Sequence, residues 1–284
     1  MPSTTPHRPA DDASTTAVVT GASSGLGAEF ARQLSARGTD LILVARREDR
    51  LVSLANELRS PRCRVDVIVQ DLSASGAGET LHHEIRSLGR PVRLLINNAG
   101  SGTLGDVVDT SVADLDAQIQ LNVTSVTTLS RLFSADFVSA GAGTVVNIAS
   151  LAALLPAPHM AVYGATKAYV HSFTEALSVE LSGTGAHAVV VDPGPTRTEF
   201  FDASGGRIGP DSAFATVEQV VAATLRALDR RRVPRVVVPG RGNAFSAPIL
   251  SRLPRGLGLT LSERLNRLGL EIAARERDAR PRTD

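Results

Sequence analysis

Short, mostly apolar runs alternate along this chain with longer stretches in which apolar residues recur every third or fourth position. The first run, 17–20, is followed by a glycine-rich turn at 21–25. A helical stretch, 26–37, then sets Phe30 and Leu34 four apart and ends at Gly38. Residues 41–45 are again continuously apolar, and 48–60 places Leu51, Leu54 and Leu58 on one stripe. A third run, 65–69, ends before Asp71 and Leu72. The same reading predicts a helix at 78–88, a strand at 94–96, a long helix at 112–140, a strand at 144–149, a helix at 160–181 and a strand at 188–192. Runs without a polar face are strands covered on both sides, and the periodic stretches are the helices that cover them. Such alternation predicts parallel βαβ units and an α/β fold, a doubly wound parallel sheet of the Rossmann type.

After Gly194 the alternation loosens. Residues 195–211 are rich in Gly, Ser and charge around Phe200 and Phe201, which suits a mobile loop. A helix at 217–228 and a strand at 235–238 follow. Residues 240–258 form an apolar, basic stretch broken by Pro and Gly. Thr260 and Glu263 then stand in capping-box spacing ahead of Leu265, Leu268 and Ile272. The expected organisation is a disordered leader at 1–15, a single catalytic domain at 16–240, and an extension at 241–284 with one amphipathic helix and a charged tail. For that extension a lid, a dimer contact, a membrane-surface helix and plain packing on the parent domain all stay open.

Composition narrows the classes. With 284 residues, a net charge of +1 and 4% aromatic content, the chain has neither the electrostatic footprint nor the stacking platform of a nucleic-acid binder. Its one cysteine, Cys63, excludes an internal disulfide and a cysteine metal cage, and suits a reducing, cytoplasmic setting. His82 and His83 lack the neighbours of a zinc site and are expected on a solvated helix, so no metal is predicted. No apolar run approaches the ~20 residues of a membrane span, and the polar, Pro-containing N-terminus lacks the core of a signal peptide.

Three places carry candidate chemistry. The turn T-G-A-S-S-G-L-G, Thr20 to Gly27, lies between a strand and a helix, where glycines admit a phosphate to free helix N-terminal amides. At the end of the second strand Arg46 occupies the slot that carries an acidic residue in NAD-type sites, with Arg47 beside it. A guanidinium there attracts a 2′-phosphate. Tyr163 and Lys167 stand four apart on one helix, and so share a face. A cation beside a phenol lowers its pKa and makes it a usable acid or base. Lys167 is the only lysine in the chain, and Ser150 sits just past a predicted strand.

T-G-x-x-x-G-x-G, N-N-A-G (97–100), a serine 13 before the tyrosine, Y-x-x-x-K and P-G-x-x-x-T (193–198) occur in order. Together they resemble the short-chain dehydrogenase/reductase family in its NADP(H)-preferring branch, closely over 17–198 and more loosely to 239. The resemblance implies an NADP(H)-dependent oxidoreductase that interconverts a carbonyl and a secondary alcohol of a small, apolar substrate. Tyr163 would exchange the proton, Lys167 would lower its pKa and bind the nicotinamide ribose, and Ser150 would hydrogen-bond the substrate oxygen. Asn122 would hold a water of the proton relay. Gly21, Ser23, Ser24, Gly25, Leu26 and Gly27 would cradle the pyrophosphate. Arg46, Asp71 and Leu72 would meet the adenosine, while Asn98, Ala99, Gly100, Pro193, Gly194 and Thr196 would line the nicotinamide side. The resemblance also implies a homodimer or homotetramer built on the helices at 112–140 and 160–181. Leu151, Leu154, Leu155, Met160, Phe200 and Phe201 are candidate pocket walls, though core packing suits the leucines equally, and His159 is weighted toward a structural role. The alternatives are a 3-oxoacyl-thioester reductase, a non-catalytic NADPH-binding sensor or scaffold, and a peripheral membrane protein held by 241–284.

Overall fold

The computed structural model describes residues 15–200 and 214–279, with side chains for all of these but 273–279. The leader expected at 1–15 except for residue 15, Phe201 with the rest of the loop to 211, and the final residues of the charged tail lie outside the described residues.

Seven strands form one parallel sheet: β1 (Thr16–Thr20), β2 (Asp40–Ala45), β3 (Val65–Val69), β4 (Val92–Asn97), β5 (Gly143–Ile148), β6 (Ala186–Val191) and β7 (Val236–Val237), in the order β3-β2-β1-β4-β5-β6-β7. Helices α1 (Gly25–Ala36), α2 (Glu48–Leu58) and α7 (Val217–Leu228) cover one face. Helices α3 (Ala77–Ser87), α5 (Ser125–Ser139) and α6 (Ala161–Glu180) cover the other. The period-two pleat of β1 divides its residues between the two cores. Ala17 and Val19 meet Phe30, Leu51 and Val221, while Val18 meets Leu81, Phe133 and Phe137. All of these are fully or almost fully buried, and a buried side chain of this size contributes about 1.5–3 kcal/mol. The sheet order reverses between β1 and β4, and at such a switch point the strand ends leave a crevice.

The long helix expected at 112–140 is three pieces: α4 (Val112–Ile119), one π-helical turn (Gln120–Thr124) and α5. The π turn puts Asn122 at the widened point, and Ser125 and Thr127 donate their hydroxyls to the Leu121 and Val123 carbonyls at 2.6 and 2.8 Å. His82, expected on a solvated face, lies between α3 and α5. Its Nε2 is 2.8 Å from Asp136 Oδ2, and its ring meets Phe133 edge-on at 5.0 Å. His83 is exposed.

The extension also departs from expectation. Residues 240–258 are not merely a broken stretch, for they contain α8 (Arg241–Leu250), with Pro248 inside it, and the start of α9 (Arg255–Ala279). Thr260 does not cap α9. It sits inside the helix and donates to the Gly256 carbonyl at 3.1 Å, one turn back. The capping box that forms is Thr216 with Gln219, at the start of α7. Among the described residues no helix is long and apolar enough to cross a membrane.

Candidate active site

The turn after β1 is held by its neighbours. Gly21 adopts φ 66°, and a Cβ there would come within 2.9 Å of Ala99 Cα. A Cβ on Gly27 would overlap the Gly21 carbonyl oxygen and come within 2.6 Å of Asn98 Nδ2. The Asn98 amide nitrogen donates to the Thr20 carbonyl at 2.9 Å. Thr20 Oγ1 accepts the backbone N–H groups of Asn98 and Ala99, both at 3.0 Å, and donates to the Ile96 carbonyl at 3.2 Å. Two loops from different βα units are thereby stapled into one floor. Ser24 gives α1 no side-chain cap, so the first-turn amides suit an anionic group.

A cavity of about 600 Å³ opens over that floor at the strand C-terminal ends. At one end lie Arg46, Arg47, Asp71 and Leu72. The sequence pointed to Arg46, but its side chain is 69% exposed and only 3.7 Å from Asp71 Oδ2. Burial pushes the Asp71 carboxyl up, yet the bonds from Ser73 and the nearby Arg46 outweigh it, and the group ends below its ordinary value. It is Arg47 that turns to the glycine loop, donating to Ser23 Oγ at 3.0 Å, Ser24 Oγ at 2.8 Å and Glu199 Oε2 at 2.9 Å. Arg50 takes the other Glu199 oxygen at 2.6 Å, and with Arg47 it holds that carboxyl below its usual range.

At the opposite end Ser150, Tyr163 and Lys167 line the cavity together with Asn98, Ala99, Gly100, Pro193, Gly194 and Thr196. Lys167 Nζ stands over the Tyr163 ring, 5.8 Å from its centroid, and donates to the Ile148 carbonyl at 2.8 Å. The shared face follows from four-residue spacing on α6, but the expected acidic phenol does not appear. Burial pushes Tyr163 up to about 12, opposed by its hydrogen bond with Ser150, and burial pulls Lys167 down to about 8 despite Asp192. Desolvation disfavours both charged forms, and it outweighs an ammonium placed over the ring face and spent on a carbonyl.

Asn122 and Gly27 stand behind the wall rather than in it. The Asn122 amide donates to the Ser101 carbonyl at 2.8 Å and to Thr166 Oγ1 at 3.0 Å, and its Oδ1 accepts the Ser101 N–H at 3.0 Å. A Cβ on Gly100 would lie 3.2 Å from Asn122 Oδ1 and 3.4 Å from Lys167 Nζ, which sets amide and ammonium side by side. Next to this group Asp192 is buried and its Oδ2 meets His171 Nδ1 at 2.9 Å, with Glu175 3.2 Å from Nε2. Those carboxylates raise the His171 pKa above its ordinary 6.5, the hydrogen bond with Asp192 most of all. A raised folded value means that the imidazolium adds stability fully below pH 6.5, and that this is lost as pH climbs through the folded pKa. Wild type should therefore lose its thermal advantage over His171→Gln across that window. A pH-independent gap in Tm between the two would contradict the assignment.

The remaining wall is apolar. Leu151, Leu155, Met160 and Phe200 line it, and the Phe200 ring lies 5.2 Å from that of Tyr163. Leu154 is not among the lining residues. Leu250, Leu261 and Leu265 join the wall from α8 and α9, which sequence reasoning missed. Their i, i+4 spacing at 261 and 265 was a signal for a helix face but not for what that face would cover. Asn266 locks α9 in place by donating to the Pro158 carbonyl at 2.8 Å. His159, at φ 63°, is bound to Asp106 Oδ1 at 2.6 Å and does not line the cavity.

Residues 15–206 match the family model for short chain dehydrogenase, well over half of the chain. The chain belongs to that family. This dehydrogenase is an oxidoreductase by the same match, and reductases are among its relatives. It is 38% identical over 185 residues to sulfoacetaldehyde reductase 2 of Chromohalobacter salexigens, covering 64% of this chain and 73% of that one. It is 30% identical over 273 residues to a very-long-chain 3-oxoacyl-CoA reductase of Mycosarcoma maydis, covering 92% and 75%. Among solved structures, a short-chain dehydrogenase from Sphingobium yanoikuyae in complex with NADPH superposes with a TM-score of 0.76 at 35% identity, covering 86% of this chain and 94% of that one.

Proposed function

We propose that the protein is an NADP(H)-dependent carbonyl reductase acting on an apolar ketone or aldehyde. The observation that carries this reading is one cavity with a phosphate-suited glycine turn and paired arginines at one end, and Ser150, Tyr163 and Lys167 at the other. The residues fit the cofactor. The first-turn amides of α1 and the glycines without side chains would receive the pyrophosphate, Arg46 and Arg47 the 2′-phosphate, and Lys167 the nicotinamide ribose. The NADPH complex of the Sphingobium relative supports the same preference. When bound, the nicotinamide supplies the hydride.

The protein groups then have these tasks. Ser150 donates a hydrogen bond to the substrate carbonyl oxygen and stabilises its developing charge. Tyr163, held as a neutral phenol at about 12, gives its proton to that oxygen as it becomes an alkoxide. An alkoxide is roughly as basic as hydroxide, well above a phenolate, so the transfer runs downhill. Burial keeps the phenol protonated at neutral pH, the state needed to act as the acid of carbonyl reduction. Asn122, clamping Ser101 against Thr166, would keep Lys167 and the proton path in register.

The wall of Leu151, Leu155, Met160, Phe200, Leu250, Leu261 and Leu265 supports an apolar substrate, with Ser262 and Asn266 as polar members of the α9 side. Its length, extended by α9, gives the 3-oxoacyl-thioester reading its own support, and acetoacetyl thioesters test it. A non-catalytic NADPH sensor would need no Ser/Tyr/Lys set. Tight NADPH binding without turnover on a broad carbonyl panel would favour that alternative. Exposed Tyr169 and Val179 on α6 and Val138 on α5 support assembly as a homodimer or homotetramer through these helices.

The cofactor assignment is tested by replacing Arg46 and Arg47 together with alanine. NADPH should bind about tenfold to a hundredfold more weakly, as loss of charged hydrogen bonds worth about 1.5–3 kcal/mol implies, while NADH is unaffected. Equal losses for both cofactors would remove the 2′-phosphate from these arginines.

A further inference from the structure

From residue 230 to residue 262 the chain carries seven arginines and neither aspartate nor glutamate. Within this segment α8 turns Phe245 and Ile249 to solvent, 76% and 52% exposed, and Leu257 on α9 is 62% exposed. Arg241 lies four residues before Phe245 and Arg252 three beyond Ile249, so two exposed arginines bracket two exposed apolar side chains on one stripe. Single apolar side chains on a surface are ordinary. A bracketed group on consecutive helices, in a run with no acidic residue before Glu263, is not. The same two helices wall the cavity through Leu250, Leu261 and Leu265.

We infer that α8 and the first turns of α9 dock on the surface of an anionic lipid bilayer. Phe245, Ile249 and Leu257 enter the acyl boundary, and Arg241, Arg252 and Arg255 pair with lipid phosphates. Aliphatic arginine stems cover apolar surface while their heads reach the phosphates, which is the arrangement a bilayer interface rewards. A second copy of the chain is the poorer occupant. A two-fold contact would set this patch against itself and oppose arginines with no acidic partner between them. Docking goes beyond the reductase reading and does not need it. If that reading holds, the apolar cavity would be reached from lipid rather than from water.

Flotation of the full-length protein with vesicles tests the inference, using phosphatidylcholine alone and phosphatidylcholine with phosphatidylglycerol. The protein should rise with the anionic vesicles and stay behind with the neutral ones, and added salt should release it. Phe245→Glu/Ile249→Glu should lower the partition coefficient by about tenfold or more. NADPH affinity should be unchanged, because neither residue lines the cavity. Arg241→Glu/Arg252→Glu should lower partition similarly. No flotation of the wild type, or equal flotation of wild type and variants, overturns the proposal. So does a variant that changes only the oligomeric state in sedimentation, which would assign the patch to a second copy. Flotation reads no turnover, so its failure is distinct from failure of the reductase assignment.

Discussion

Tyr163→Phe should lose carbonyl reduction by at least the roughly 10²–10⁴-fold that a positioned acid contributes, while NADPH binds as to wild type. The variant removes one oxygen from a buried ring that packs against Phe200 and keeps the rest of the packing. Its stability should hardly fall, because the hydroxyl's hydrogen-bond partner is Ser150, which lines the cavity and can turn to water. Turnover and cofactor titration, measured side by side, separate lost chemistry from lost binding. Wild-type turnover in Tyr163→Phe would end the proton-donor assignment. Loss of NADPH binding in step with activity would move Tyr163 from chemistry to the cofactor cradle.

Gly27→Ala is expected to damage both the fold and the cofactor floor with a single methyl group. Its Cβ has no room: the Gly21 carbonyl and Asn98 Nδ2 already occupy the space, and both belong to the stapled floor. Overpacking of this kind costs about 1–3 kcal/mol and sometimes more. Here the strain would also part the glycine turn from the Asn98 loop, so NADPH affinity should fall with Tm. Gly242→Ala is the control, since an added Cβ there meets nothing within 4 Å and α8 would gain a better helix former. Equal Tm for Gly27→Ala and wild type would show that the two loops move apart freely, and the account of the floor would fail.

Much of this was legible along the chain for local reasons. The sheet strands are apolar on both faces, and the helices between them carry stripes, because both periods are fixed by backbone geometry. Tyr163 and Lys167 share a face for the same reason. Asn122 could be found, but not the π turn that seats it, since the buried positions around it are the polar Gln118, Asn122 and Ser125, which leave no hydrophobic phase to read. Thr260 and Glu263 mimicked a cap that Pro254 and the true helix start at Arg255 had already made unnecessary. Thr216 and Gln219, with the same spacing, do form one.

The sequence by itself determined the order of elements, the sheet class and the residue types gathered at the cavity, because these follow from short-range periodicity and spacing. Tertiary structure alone decided the states and partners of those residues. Burial sets Tyr163 to about 12 and Lys167 to about 8, a consequence of desolvation that no local pattern encodes. It also turned Arg47 rather than Arg46 to the glycine turn, and brought Leu261 and Leu265 about a hundred residues back over Tyr163. Both outcomes depend on which surfaces meet across the fold, and a chain read in order carries no record of that meeting.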